Sequence, residues 1–159
     1  MRILVTGATG FIGKALSRAL LARGDAVVAL TRSVPDARAV LPAQVTCTAS
    51  LAEVAAADAV VNLAGLNLAS GRWTAARKQA FIASRVQTTE RLLDWMDKGA
   101  RPRALVSGSA IGWYGARGDE PLTESATAGR PDEFSVQLCS AWEAAALKAE
   151  ALGVRTCLL

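Results

Sequence analysis

Short apolar runs and amphipathic stretches alternate along this chain from end to end. Arg2–Thr6 holds Ile3, Leu4 and Val5 in sequence, a run that predicts a strand buried on both faces. Behind it Phe11, Ile12, Ala15, Leu16, Ala19 and Leu20 recur at three- and four-residue intervals, the stripe of a helix lying on a sheet. Gly24-Asp25 closes that helix and Ala26–Leu30 predicts a second strand. A loop holding Pro35 and Pro42 leads to a weaker strand, Gln44–Thr48, after which Ser50 is placed to cap a short helix running to Ala57. Asp58–Leu63 predicts a fourth strand, and a long helix runs from Trp73 or Thr74 to about Lys98, stopped by Gly99 and Pro102. Arg103–Ser107 predicts strand five, Glu133–Leu152 a further helix ended by Gly153, and Val154–Leu159 a sixth strand. The intervening loop, Gly108–Asp132, is long and glycine-rich, and loops of that length are usually functional or mobile.

Strand–helix alternation of this kind predicts an α/β fold: a doubly wound parallel sheet with helices on both faces, in the strand order 3-2-1-4-5-6. The 159 residues make one domain with room for a core. Because the chain stops at Thr156-Cys-Leu-Leu159, the expectation is a domain truncated at or just after a buried sixth strand.

The turn after strand one carries the first candidate chemistry. Gly7, Gly10 and Gly13 stand between the strand and the helix, the arrangement that cradles a dinucleotide pyrophosphate in a Rossmann fold. Gly7 allows the tight turn, Gly10 lets backbone approach phosphate, and Gly13 lets the helix pack closely. The helix N-terminus adds free N–H groups and a positive dipole end. Where NAD-binding proteins of this architecture place an acidic residue on the ribose, strand two ends Ala29-Leu30-Thr31-Arg32-Ser33. A guanidinium with a neighbouring hydroxyl suits a 2′-phosphate, so Arg32 and Ser33 predict NADP(H) as the cofactor.

Composition narrows the picture further. The chain has no histidine, which removes imidazole bases and His-ligated metals, and Asp119, Glu120 and Glu124 show no metal-ligand spacing. Cys47, Cys139 and Cys157 lie far apart, with no C-x-x-C pair, and read as reduced thiols of a cytoplasmic protein. A net charge of +4 spread over scattered basic residues gives no support for nucleic-acid binding, and no apolar stretch approaches membrane-spanning length. Arg72, Arg77, Lys78 and Arg85 gather positive charge about Trp73, where a small anionic substrate is one reading and a solvated helix face the other.

Three motifs in order carry a resemblance: Thr6-Gly-Ala-Thr-Gly-Phe-Ile-Gly13, Val61-Asn-Leu-Ala-Gly65 and Ser107-Gly-Ser-Ala-Ile-Gly-Trp-Tyr-Gly115. Together they resemble the extended short-chain dehydrogenase/reductase superfamily. Gly71-Arg-Trp-Thr74, Ser84-Arg-Val86 and Leu138-Cys-Ser-Ala-Trp-Glu143 are similar to its atypical "epimerase family" branch. The resemblance implies an NADP(H)-binding oxidoreductase or nucleotide-sugar epimerase. By position it places the pyrophosphate on Gly7, Thr9, Gly10, Phe11, Ile12 and Gly13, and the 2′-phosphate on Arg32 and Ser33. It places the cofactor's ribose and adenine side on Asn62, Leu63, Ala64 and Gly65, and a substrate oxygen on Ser109. It also implies a substrate region beyond strand six and a possible homodimer, which an alanine-rich face such as Ala141–Ala149 would permit.

One departure stands out. The superfamily's Tyr-x-x-x-Lys, whose lysine tunes the tyrosine for proton exchange, falls here on Ser135 and Cys139. The only tyrosine, Tyr114, is a candidate substitute or a packing anchor. A non-catalytic NADP-binding sensor or scaffold is therefore the alternative function.

Overall fold

The computed structural model describes residues 1–159. Strands β1 (Arg2–Thr6), β2 (Ala26–Leu30), β3 (Thr46–Thr48), β4 (Ala59–Asn62), β5 (Ala104–Ser107) and β6 (Arg155–Leu158) pair in parallel in the order β3-β2-β1-β4-β5-β6. This is the doubly wound order expected from the alternation. Helices α1 (Phe11–Ala22), α2 (Val34–Val40), α3 (Ala75–Asp97) and α4 (Phe134–Leu147) cover its faces.

Alternation within each strand divides the core in two. Leu4, Val28, Val60 and Leu105 point to one side and pack on Leu92, Trp95 and Met96 of α3 and Ala146 of α4. Ile3, Val5, Val27 and Ala29 point to the other, against Leu20 of α1 and Ala37 of α2. The register is level at the carboxyl ends: Thr6 lies opposite Leu30 and Asn62, Asn62 opposite Ser107, and Ser107 opposite Leu158. The loops leaving β1, β4 and β5 therefore emerge side by side.

Several expected elements come out differently. Phe11 and Ile12 are not on the inner stripe of α1; they are 94% and 63% exposed. The buried face is Gly13, Ser17 and Leu20, because small residues let the helix settle on β1 while its first turn overhangs the strand end. The proline-bearing segment after β2 contains α2, with Pro35 in its first turn, where a missing N–H loses no hydrogen bond. Strand β3 is shorter than Gln44–Thr48, and Ser50 caps only a 3₁₀ turn, Leu51–Glu53. The final helix tightens to 3₁₀ geometry over Lys148–Leu152 before Gly153. β6 is a half-exposed edge, not a buried strand. Ala145 and Ala146 of α4 and Ala149 of the 3₁₀ turn are buried in the chain's own core, while Ala144 is exposed.

A chain of buried hydrogen bonds crosses the sheet at its carboxyl edge. Thr6 Oγ1 donates to Asn62 Oδ1 at 2.7 Å, and Asn62 Nδ2 donates to Thr89 Oγ1 at 2.9 Å. Thr89 Oγ1 donates in turn to the Arg85 carbonyl at 2.8 Å, and the Ala64 N–H donates to Thr6 Oγ1 at 3.1 Å. Asn62→Ala removes one of the two hydrogen bonds of each buried hydroxyl and is expected to lower the unfolding free energy by roughly 1–3 kcal/mol, read from urea denaturation. A loss within a few tenths of a kcal/mol would remove the network from the determinants of stability.

Candidate functional site

Backbone shapes the first half of the carboxyl edge. Gly7 sits at φ +69°, and a Cβ there would lie 2.6 Å from the Leu63 carbonyl oxygen. A Cβ on Gly13 would lie 2.2 Å from the Gly7 carbonyl oxygen. Only glycine fits either place. Gly10 is the N-cap of α1; no side chain caps that helix and no acid occupies its first turn. The first-turn N–H groups, which have no intrahelical carbonyl, therefore face open space beside exposed Thr9, Gly10 and Phe11. An anion fits there on charge and on space.

Arg32, just past β2, is exposed and belongs to none of the four ion pairs. Ser33 Oγ accepts from the Asp36 N–H at 3.4 Å, capping α2, so its own proton stays available. Across the turn, the Asn62 side chain is fully buried, and its amide is consumed by Thr6 and Thr89. What this stretch presents is the half-buried pair Leu63 and Ala64 and exposed Gly65.

The second half is a cavity of about 290 Å³ whose wall includes Trp73, Arg85, Ser109, Ser135, Cys139 and Trp142. Ser109 Oγ donates its proton to the Glu143 carboxylate one helix away. The Cys139 thiol points at the Ala110 carbonyl at 3.7 Å, and burial, helped by Glu143, pushes its pKa up. Tyr114, in the 3₁₀ turn Ile111–Tyr114, stacks edge-on against Trp113 with ring centroids 5.1 Å apart. It is half-buried and not on the cavity wall, so the structure gathers Ser109, Ser135 and Cys139 without it.

The basic cluster is held by aromatic faces. Arg77 lies 5.3 Å over the Phe81 ring and Lys78 5.0 Å over Phe134, while Trp73 packs edge-on against both rings. Trp73 Nε1 donates to the Leu68 carbonyl at 2.9 Å, and Arg77 Nη2 to Ser70 Oγ at 2.6 Å, which pins the segment after β4 over the cavity. A larger hollow of about 430 Å³ lies at the amino end of β3, lined by Arg38 and Pro42 to Cys47, away from these groups.

The family profile described as "NAD dependent epimerase/dehydratase family" matches residues 3–159. The chain belongs to that family. A relative from Arabidopsis thaliana, "Epimerase family protein SDR39U1 homolog, chloroplastic", is 37% identical over 94% of this epimerase-family chain and 45% of its own length. The crystal structure of human epimerase family protein SDR39U1 (isoform 2) with NADPH superposes with a TM-score of 0.74 at 31% identity, covering 91% of this chain and 48% of that one. A nucleoside-diphosphate sugar epimerase from Corynebacterium glutamicum gives 0.78 at 29% identity, over 100% of this chain and 33% of that one. The chain thus spans about half the length of the curated relatives it matches.

Two contacts in this epimerase-family site had no signal in spacing or composition. They are the Ser109–Glu143 bond, between residues 34 apart, and the stacking of Arg85 on Trp142. Both depend on how α3 and α4 lie on the sheet. The raised Cys139 pKa has a direct consequence: the thiol stays protonated where an ordinary cysteine has begun to ionise. At pH 8 iodoacetamide is expected to modify Cys139 much more slowly than half-exposed Cys157, as read by peptide mass spectrometry.

Proposed function

We propose that this chain is the nucleotide-binding portion of an NADP(H)-dependent oxidoreductase or epimerase that acts on a small molecule. The observation carrying this reading is Arg32: an unpaired, exposed guanidinium where β2 ends, beside a glycine turn that leaves helix N–H groups free. The NADPH of the human relative supports the choice of cofactor. Gly7, Thr9, Gly10, Phe11, Ile12 and Gly13 hold the pyrophosphate, and Arg32 with Ser33 holds the 2′-phosphate. Leu63, Ala64 and Gly65 border the ribose and adenine side, set in place by Asn62 from beneath. The reduced cofactor supplies a hydride.

The chain's own groups then bind and orient the reacting molecule. With its proton held by Glu143, the Ser109 oxygen meets a substrate as an acceptor, suited to a hydroxyl. Tyr114 is the remaining candidate for proton exchange and requires its turn to shift toward the cavity. The unpaired cysteines support a reducing, cytoplasmic setting, and no helix is long and apolar enough to cross a membrane.

Arg32→Ala is expected to weaken NADPH binding by about 1.5–3 kcal/mol, the scale of a charge-assisted hydrogen bond, and to leave NADH nearly unchanged. Parallel titrations followed by tryptophan fluorescence measure both; equal losses would overturn the assignment. A specific observation also favours a second reading, a non-catalytic NADP-binding sensor: Ser135 and Cys139 supply neither phenol nor ammonium, and Cys139 is a buried neutral thiol. Transfer of label from 4-deuterated NADPH to carbonyl compounds or sugar nucleotides by the full-length protein supports the enzyme. Saturable NADPH binding with no transfer to either class supports the sensor.

A further inference from the structure

Arg85 is a cation with no anion. It projects from the middle of α3, with Cζ 5.2 Å over the Trp142 ring. Its other contact is Gly65, where a Cβ would lie 2.7 Å from Cζ, so the absence of a side chain at Gly65 makes room for the guanidinium. Nη1 donates to the Phe81 carbonyl at 3.1 Å and to the Leu66 carbonyl at 3.4 Å, and Nη2 reaches the same Leu66 oxygen at 3.4 Å. None of the chain's four ion pairs includes it. Burial lowers its pKa from the ordinary arginine value.

A guanidinium carries five N–H groups in a fixed fork. The contacts to Phe81 and Leu66 occupy both protons of Nη1 and the inner one of Nη2. Left without a protein acceptor are Nε–H and the outer Nη2–H, which share one edge. That is the edge on which arginine takes a carboxylate with two parallel bonds. A half-buried cation lacking its counter-ion is destabilising, and a ligand carboxylate would relieve this.

The rest of the wall sets the body of the ligand. Leu68, Ile111 and Leu138 are aliphatic and Trp73 and Trp142 present aromatic rings, the Trp142 Nε1–H being buried without a partner, and the side-chain hydroxyls are those of Ser109 and Ser135. The Ser109 hydroxyl already donates its hydrogen bond to Glu143. A hexose ring would carry several hydroxyls against this wall, each costing free energy if left unpartnered. An apolar body would not.

We propose that the cavity binds a small carboxylic acid with an apolar body, its carboxylate on the Nε/Nη2 edge of Arg85 and its body between Trp73 and Trp142. The proposal rests on the NADP(H)-dependent reading only in making this acid the substrate class.

The test titrates full-length protein calorimetrically with 3-phenylpropionate and its neutral isostere 3-phenylpropionamide, with and without saturating NADPH. The acid is expected to bind about tenfold more tightly than the amide, the ratio one charge-assisted pair supplies. Arg85→Met should abolish that ratio and Arg85→Lys should keep part of it, near-ultraviolet circular dichroism reporting that each variant is folded. Equal affinities in the wild-type protein, no binding of either probe, or an acid preference that survives Arg85→Met would each overturn the proposal. The wild-type comparison needs no variant. NADPH affinity from the same samples tests the cofactor reading separately, since its loss would leave the acid preference standing.

Discussion

The carboxyl edge of this sheet hangs on one buried amide. Asn62 ends β4 in full burial, and a carboxamide there is tolerable only if both its oxygen and its nitrogen find partners. Thr6 supplies one from β1 and Thr89 the other from α3. The consequence reaches every loop of the site. Thr6 Oγ1 also accepts the Ala64 N–H, fixing the turn after β4, and the Asn62 carbonyl accepts the Gly108 N–H at 2.9 Å, fixing the turn after β5. Thr89 holds the Arg85 carbonyl, tying α3 to the same point. Apolar residues alone would leave strand register to side-chain volume; a one-residue slip of β4 here would break both side-chain hydrogen bonds of Asn62 at once.

Charge in the cavity follows from what replaced the expected proton-transfer pair. A lysine at the position of Cys139 would place an ammonium beside Glu143; with a thiol there, that carboxylate accepts a hydrogen bond from Ser109. Positive charge enters the same neighbourhood from α3, since Arg85 lies close enough to Cys139 to act on its pKa. The cation of this neighbourhood therefore stands on α3, its Cζ 5.2 Å over an indole ring. A guanidinium fixed between Trp142 and the Gly65 backbone binds and orients well but gives up no proton at neutral pH.

Much of the fold was legible because parallel sheets write themselves into local sequence. Central strands β1, β2, β4 and β5 read as apolar runs, and α3 begins at Ala75 behind its Thr74 cap, close to the expected start at Trp73 or Thr74. The misreadings share a cause. Phe11 and Ile12 fit a helical stripe by spacing, yet spacing carries no information on where a helix overhangs its sheet. α2 hides behind two prolines that resemble loop punctuation, although one sits where a helix accepts it. The exposure of β6 depends on its place at the sheet edge, which its composition does not encode.

The two halves of the site differed in legibility because they are made of different material. The glycine turn after β1 is backbone, and backbone demands name their residues: only glycine satisfies φ +69° with a carbonyl 2.6 Å from the would-be Cβ. The cavity is side chains meeting across the fold, Arg85 on Trp142, Ser109 on Glu143, Trp73 on Phe134, and no local rule pairs such residues. Gly65 belongs to both. By position it continues the turn after β4, yet the steric demand on it comes from the guanidinium behind. A side chain there would push Arg85 off Trp142 and disturb the cavity while the phosphate turn at Gly7 stayed as it is. The turn after β4 and the wall of the cavity thus meet at a single glycine.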